Sequence, residues 1–133
     1  KEKIDPYLRP LYDALDDMIP PDKLSYYMTN RIIEIAPLAY MRGRTLDNAF
    51  IILDEAQNTT PSSMLSALTR IGENSKLVIT GDTKQSDRGK INGLSDFLKR
   101  FSNNPHISVC YFDKQSIERH PVISDILKMY NEE

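Results

Sequence analysis

An apolar run that ends in two adjacent carboxylates constrains this chain more than any other feature. The run covers residues 49–53, with the sequence AFIIL, and Asp54 and Glu55 follow it directly. A short apolar stretch of this kind predicts a strand buried on both faces of a parallel sheet. The carboxyl ends of such strands are where open α/β sheets bind ligands. The two acids therefore mark either a binding site or a strand that ends in a solvated acidic turn.

Two neighbouring acids at a strand end suit a cation, and a nucleotide-bound magnesium ion is the common one. The run and its acids then form a Walker B pattern. In that interpretation Asp54 holds the metal, usually through water, and Glu55 orients and polarises the attacking water.

A second stretch repeats the arrangement of a strand followed by a polar tip. It covers residues 76–85, with the sequence KLVITGDTKQ. Leu77 to Ile79 form the apolar part, Gly81 allows a sharp turn, and Asp82 and Gln85 project from the strand end. A Gly-Asp pair after a strand is also compatible with an ordinary turn. If the two strands are neighbours in one sheet, their polar tips lie side by side.

The segment between the two motifs predicts a crossover helix over 61–71. Thr59 or Thr60 can cap this helix, and Pro61 lies in the first turn, where proline is tolerated. An apolar stripe marks one face of the helix and consists of Met64, Leu65, Leu68 and Ile71. The two strands and this helix together predict a βαβ unit whose polar groups converge at one edge.

The remaining elements alternate in the same way, which predicts an α/β fold with a parallel sheet flanked by helices. Expected helices cover 6–18 (with Asp5 as N-cap), 22–28, 93–101 and 116–130, and expected strands cover 32–36 and 107–112. Cys110, in the last of these strands, is expected to be a buried thiol.

The motifs and their surroundings resemble a known family. The sequences DEAQ at 54–57 and GDTKQ at 81–85 are similar to motifs II and III of superfamily-one helicases. Three longer stretches resemble the PhoH family of P-loop ATPases, and they are DPYLRPLYDAL at 5–15, IEIAPLAYMRGRTL at 33–46 and FIILDEAQNTTP at 50–61. The resemblance covers nearly the whole chain. It implies a partial RecA-like P-loop NTPase fold in which residues 1–133 form the C-terminal part of the domain.

The chain departs from the family in one respect, because none of its five glycines begins the GxxxxGK[ST] loop that holds phosphates. In the family this Walker A loop lies upstream, so we expect a C-terminal piece of a longer protein or a naturally short relative. The resemblance also implies that the P-loop strand lies between the second motif strand and the last strand. Without that strand, both would expose apolar edges unless a segment from elsewhere, a rearrangement or oligomerisation covers them.

The resemblance implies an ATPase with ATP and Mg²⁺ as cofactors, acting on nucleic acid, with RNA as the expected class. Asp54 would position the metal, Glu55 would be the general base, and Gln85 would sense the γ-phosphate. Asp82 would support the metal shell or cap the loop that follows it. Because the phosphate loop is missing, residues 1–133 alone are expected to be inactive. The alternative is a non-catalytic interaction or assembly module that retains this half of the fold.

Three arginines are candidate phosphate ligands. Arg42 and Arg44 flank Gly43 before the Walker B strand, where they could bind the phosphates of a nucleic acid or of ATP on a neighbouring subunit of a homo-oligomer. Arg119 precedes the last helix, in a region where related ATPases use an arginine to stabilise charge on the γ-phosphate. The alternative for Arg42 and Arg44 is a pair of solvated loop arginines that donate to backbone carbonyls, and the alternative for Arg119 is an ordinary salt-bridged arginine.

Composition adds little to these expectations. Lysine and arginine number 17 and the acids 19, so the net charge of −2 gives no electrostatic support for nucleic-acid binding. The sequence contains no apolar stretch long enough for a transmembrane helix. We therefore expect a cytoplasmic protein without a membrane partner.

Overall fold

The apolar run before Asp54 forms the expected strand in a computed structural model of the chain, which describes residues 6–84, 91–113 and 117–132. This strand, β1, covers Phe50–Leu53, and a second strand, β2, covers Lys76–Ile79. The two pair in parallel, in a register that runs from Phe50 opposite Lys76 to Leu53 opposite Ile79. In the described part of the chain they form a two-stranded sheet.

Helices account for most of the remaining regular structure. They are α1 (Arg9–Met18), α2 (Pro21–Thr29), α3 (Pro61–Leu68), α4 (Gly93–Arg100) and α5 (Pro121–Met129), with short 3-10 turns at Leu38–Met41 and Ala56–Asn58. These bounds confirm the five predicted helices, mostly with shorter ends. The proposed cap Asp5 lies outside the described residues. None of the helices among the described residues has the length and apolar character needed to cross a bilayer.

The crossover between the strands confirms the predicted βαβ unit, because α3 connects β1 to the parallel β2. Thr60 is its N-cap, and its hydroxyl accepts the Ser63 N–H at 3.0 Å while the Ser63 hydroxyl accepts the Thr60 N–H at 2.9 Å. This reciprocal capping box satisfies two N–H groups that a helix start otherwise leaves unpaired. The helix ends at Leu68, three residues before the predicted end, and Ile71 instead bridges Leu46 beside the sheet.

The core lies beneath the carboxyl half of the two strands. Ala56, Met64 and Leu94 form its buried centre, and the half-buried side chains packed around them are Leu53, Leu68, Ile79, Phe97 and Leu98. Helices α3 and α4 contact each other over this core. The turn that carries Ala56 also packs on α4, so the loop after β1 is anchored to the core.

The opposite face of β1 differs from the prediction. Phe50 is 67% exposed and Ile52 is 61% exposed, so the expectation of a strand buried on both faces is wrong for the described residues. The physical reason is the alternation of side chains along a strand. Leu53 turns toward the core, while the side chains of Phe50 and Ile52 lie on the other face and remain exposed.

Two predicted strands are absent from the described residues. The backbone N–H groups of Ile32 and Ile33 both bond back to the Tyr27 carbonyl, and Arg31 adopts a positive φ of 56°, so this segment ends α2 rather than starting a strand. At 107–112 the only pairing within the described residues is an isolated bridge between Ile107 and Asn104. An extended segment becomes a strand only where a neighbour supplies a ladder of hydrogen bonds.

The chain forms two compact units, Lys1–Phe101 and Ser102–Glu133. The first contains the sheet, the core and helices α1 to α4. The second contains α5, whose N-cap His120 accepts the Val122 N–H at Nδ1 over 3.2 Å. Cys110 in this second unit is exposed, so the expectation of a buried thiol is wrong.

Candidate functional site

The two strand tips meet at the carboxyl edge of the sheet. The Thr80 N–H donates to the Leu53 carbonyl and the Ala56 N–H donates to the Thr80 carbonyl, each over 3.0 Å. These bonds extend the parallel ladder past both strand ends. The Thr80 hydroxyl in turn donates to Oδ1 of Asp54 over 2.7 Å. The acid predicted to hold a metal is therefore joined directly to the second motif.

Glu55 lies at a sharp change of backbone direction. Its φ of 54° and ψ of 45° place it in the left-handed region, which costs a non-glycine residue about 1–2 kcal/mol. Its carbonyl accepts the Asn58 N–H at 3.0 Å, which closes the short turn Ala56–Asn58. Such backbone conformations recur at functional sites, where the surrounding structure holds them in place. The exposed carboxylate of Glu55 accepts a hydrogen bond from Nε2 of Gln57.

Gln57 is a site residue that the sequence analysis did not select. Its side chain is almost fully buried, with the residue 2% exposed, and its Oε1 accepts the Asp82 N–H at 3.0 Å. The amide therefore bridges Glu55 of the first motif to the backbone of the second. Its position in the sequence could have identified Gln57 as a site residue, since an amide two residues after a candidate base is within reach of that base.

Gly81 lets the second motif approach this amide. A Cβ at Gly81 would lie 2.7 Å from Oε1 of Gln57 and 2.7 Å from Cδ2 of Leu94. Both distances are shorter than carbon atoms tolerate, so any larger residue must displace the buried amide or the core leucine. Close packing therefore requires glycine at this position.

Asp82 shapes its own loop. Its Oδ1 accepts the Lys84 N–H at 2.8 Å, which is the hydrogen bond of an Asx-turn. This contact agrees with the loop-capping role considered for Asp82, while its role in a metal shell stays a prediction. Gln85, the candidate γ-phosphate sensor, lies outside the described residues.

Arg44 is engaged in an ion pair. Its Nη1 and Nη2 donate to Oε1 and Oε2 of Glu34 over 2.7 and 3.1 Å, which makes the contact bidentate. The hydrogen bond from Arg44 lowers the pKa of the Glu34 carboxyl, burial opposes this effect, and the same contact raises the pKa of Arg44. Both side chains are partly exposed, so solvent weakens the pair.

Arg42 and Arg44 precede β1 in sequence, at the amino end of the strands, whereas Asp54 and Glu55 follow β1 at the carboxyl end. The segment that follows them pairs with residues before β2, with Leu46 donating to the Arg70 carbonyl and Asn48 to the Glu73 carbonyl. Within the described residues, neither arginine forms a hydrogen bond or ion pair with Asp54, Glu55 or Asp82. Their phosphate-binding role stays a prediction, and so does that of the exposed Arg119, which belongs to the second unit.

Asp54 is the candidate metal ligand at the strand tips. No group of three or more His, Cys, Asp or Glu side chains able to hold a metal occurs in the described part of the chain. Mg²⁺ is usually bound through one or two carboxylates, with waters and substrate phosphates completing its octahedron. The exposed Asp54 carboxylate, oriented by a neighbouring hydroxyl, fits that pattern.

Comparison with known proteins identifies the family of this chain. The family model described as PhoH-like protein matches residues 1–131. The PhoH-like protein of Bacillus subtilis (strain 168) is 50% identical over 135 residues, which span all of this chain and 42% of the relative. The PhoH-like protein of Synechocystis sp. (strain ATCC 27184 / PCC 6803 / Kazusa) is 46% identical over 98% of this chain and 40% of its own length. Protein PhoH of Escherichia coli (strain K12) is 42% identical over 98% of this chain and 38% of its own length.

The chain thus spans about two fifths of the length of the curated relatives it matches. The family match covers both motifs, including the strand tips that the βαβ unit brings together. On these grounds the chain belongs to the PhoH family.

Proposed function

We propose that this chain supplies the metal-positioning and water-activating half of a magnesium-dependent ATPase site. The observation that carries the proposal is the junction of the two motifs. Asp54 is hydrogen-bonded to Thr80, and Glu55 is linked through Gln57 to Asp82, all at the carboxyl edge of a parallel βαβ unit. This edge is where open α/β sheets bind nucleotides. Membership of the PhoH family also supports nucleotide binding.

The proposed roles follow from the chemistry of each group. Asp54 positions Mg²⁺ through its water shell, and the metal neutralises charge on the phosphates. Glu55 accepts a proton from the attacking water, and its carboxylate is exposed at the site edge. Gln85 and Arg119 contact the γ-phosphate and offset the charge that develops there.

Phosphate binding requires a further segment. Residues 1–133 contain no GxxxxGK[ST] loop, whereas the matched relatives are more than twice as long. We propose that a Walker A loop from outside these residues completes the site in the cytoplasm, where ATP is available. RNA is the proposed substrate on which hydrolysis does work, and a homo-oligomer is the proposed assembly in which Arg42 and Arg44 contact phosphates.

A second function, an interaction or assembly module without catalysis, is favoured by one observation. Phe50 and Ile52 expose two large apolar side chains on one face of β1. Such a face suits a partner surface. The same face could equally pack against a further segment of the same ATPase domain. A measurement of ATP hydrolysis, rather than this surface, therefore distinguishes the ATPase from the interaction module.

Glu55→Gln tests the ATPase proposal in a full-length protein that carries residues 1–133 and a Walker A loop. The variant keeps a side chain of the same size but cannot accept a proton. We expect it to bind Mg·ATP with near-normal affinity and to lose turnover by roughly a hundredfold or more. Turnover close to that of the parent protein would overturn the proposed role of Glu55.

The 133 residues alone provide a second test. Without a phosphate loop, positioning and charge stabilisation are both lost, so the isolated chain is expected to show no magnesium-dependent ATP hydrolysis. The interaction-module alternative would gain if the full-length protein also failed to hydrolyse ATP.

A further inference from the structure

The side-chain amide of Gln57 contacts both motifs at once. Its Nε2 donates to the Glu55 carboxylate and its Oε1 accepts the Asp82 N–H at 3.0 Å. The residue is only 2% exposed, whereas Glu55 and Asp82 are both exposed. Gln57 therefore contacts Glu55 and Asp82 from the core side of the site.

Several contacts fix the amide in this orientation. The neighbouring Ala56 is fully buried in the core, and its N–H is bonded to the Thr80 carbonyl. Gly81 passes over Oε1 so closely that a Cβ there would lie 2.7 Å from this atom. The orientation also follows from hydrogen bonding, because only the NH₂ group can donate to a carboxylate and only the oxygen can accept an N–H.

A donor beneath Glu55 restricts where its carboxylate can lie. Glu55 has a flexible side chain and sits on a left-handed turn exposed to solvent. Without a partner its carboxylate would sample several rotamers, and a displacement of about 1 Å at a reacting group can cost about a hundredfold in rate. A hydrogen bond from the buried amide to the charged carboxylate is stronger than one between neutral groups, and it favours one arrangement of Glu55 over the others.

We infer that Gln57 is a positioning residue for the hydrolytic reaction, which holds the Glu55 carboxylate and ties it to the backbone of the second motif at Asp82. This inference rests on the proposed function, since it takes Glu55 to be the general base. Gln57 does not contact the reacting atoms in this scheme and acts through Glu55.

The test uses Gln57→Glu in the full-length protein. Glutamate has nearly the same shape and retains an oxygen for the Asp82 N–H, but it has no N–H for Glu55. When ionised it repels the Glu55 carboxylate, and when protonated it shares one proton with it, so the base is disturbed in either form. We expect kcat to fall about 10- to 100-fold while the affinity for Mg·ATP changes less than about threefold. An unchanged kcat would overturn the inference.

Combining this substitution with Glu55→Gln separates positioning from a general structural role. If Gln57 acts through Glu55, Gln57→Glu should lower the residual single-turnover rate of the Glu55→Gln protein by less than about twofold. The same 10- to 100-fold loss in both backgrounds would mean that Gln57 acts independently of the base, and would overturn the inference. Normal turnover of Glu55→Gln alone would instead reject the proposed function itself.

Two further variants control for folding. Thr60→Ala removes the cap of α3 and so lowers stability, but it touches neither Glu55 nor Asp82, so its kcat should match the parent. If Gln57→Glu does not fold, Gln57→Met, of similar length and without hydrogen-bonding groups, takes its place in the same two backgrounds. The same two rate comparisons then decide the outcome.

Discussion

The Thr80 hydroxyl donates a hydrogen bond to Oδ1 of Asp54 over 2.7 Å, which ties the polar tips of two adjacent parallel strands together. One carboxylate oxygen of the proposed metal-positioning acid is thereby held by a residue of the other motif. Partners of this kind orient the groups around a metal, and their removal commonly lowers metal affinity 10- to 100-fold. Thr80 is thus a supporting residue of the site, although neither motif resemblance singled it out.

If Asp54 positions Mg²⁺ as proposed, Thr80→Val should lower the apparent magnesium affinity of a full-length protein that carries residues 1–133. Valine has the shape and strand propensity of threonine but no hydroxyl, and position 80 is exposed, so the stability should change by less than about 1 kcal/mol. The expected result is an apparent Mg²⁺ affinity roughly 10-fold lower at saturating ATP. A magnesium titration of ATP turnover measures it.

Thr80→Ser is the matched control for this substitution, because serine keeps the hydroxyl and loses only a methyl group. Its magnesium titration should coincide with that of the parent protein. Equal shifts in the valine and serine variants would show that the effect does not come specifically from loss of the hydrogen bond to Asp54.

The sequence was most informative where local signals agreed. Thr60, Pro61 and the apolar spacing defined the start of α3, and the two apolar runs defined β1 and β2. The convergence of Asp54 and Asp82 followed from parallel pairing alone. These features depend on residues close together in sequence or on one simple topology.

Long-range features could not be predicted in the same way. The bridge through Gln57 depends on the close approach permitted by Gly81, twenty-four residues later in the chain. The expected strand at 107–112 needed a neighbouring strand that the described residues do not provide. Apolar periodicity indicates which side chains prefer burial, but it does not supply the partner that buries them.

Met64→Ala should strongly destabilise the fold. Met64 is 1% exposed at the centre of the core between α3 and α4. Truncating a fully buried methionine leaves a cavity and costs about 2–5 kcal/mol. Urea unfolding followed by circular dichroism measures the loss in the free energy of unfolding.

Leu65→Ala is the matched control, because Leu65 is the next residue of the same helix and is 63% exposed. Its free energy of unfolding should fall by less than about 1 kcal/mol. Equal losses for both would contradict the observed orientation of α3.

The Glu34–Arg44 pair should make a small pH-dependent contribution to stability. The bond from Arg44 lowers the pKa of Glu34 below its ordinary 4.5, so the folded protein holds the ionised form more strongly than the unfolded chain does. The contribution is therefore present above that ordinary pKa and is lost as the pH falls through the lower value of the folded state. Because both side chains are almost half exposed, it should be small at neutral pH.

Glu34→Gln tests this pH dependence by thermal unfolding. The variant should melt slightly below the parent at neutral pH, and the difference should vanish once the pH falls below the lowered pKa of Glu34 in the folded protein. Glu73→Gln is a control, since Glu73 is exposed and forms no ion pair among the residues described. A difference between Glu34→Gln and the parent that persisted unchanged in acid would show that the ion pair is not its source.

The final prediction concerns Arg119, which lies just before the cap of α5 in the second unit. If its guanidinium contacts the γ-phosphate, it stabilises the charge of the transition state more than it aids ground-state binding. Arg119→Ala in the full-length protein should then lower kcat roughly a hundredfold or more with little change in Mg·ATP affinity. Arg119→Lys should restore little activity, because a point charge cannot replace the planar fork.

Mixing Arg119→Ala with Glu55→Gln subunits shows in which subunit Arg119 acts. Activity regained in mixed oligomers indicates an arginine that contacts the ATP of a neighbouring subunit. Activity that stays low in the mixture indicates action within one subunit, and normal turnover of Arg119→Ala alone would remove Arg119 from the site.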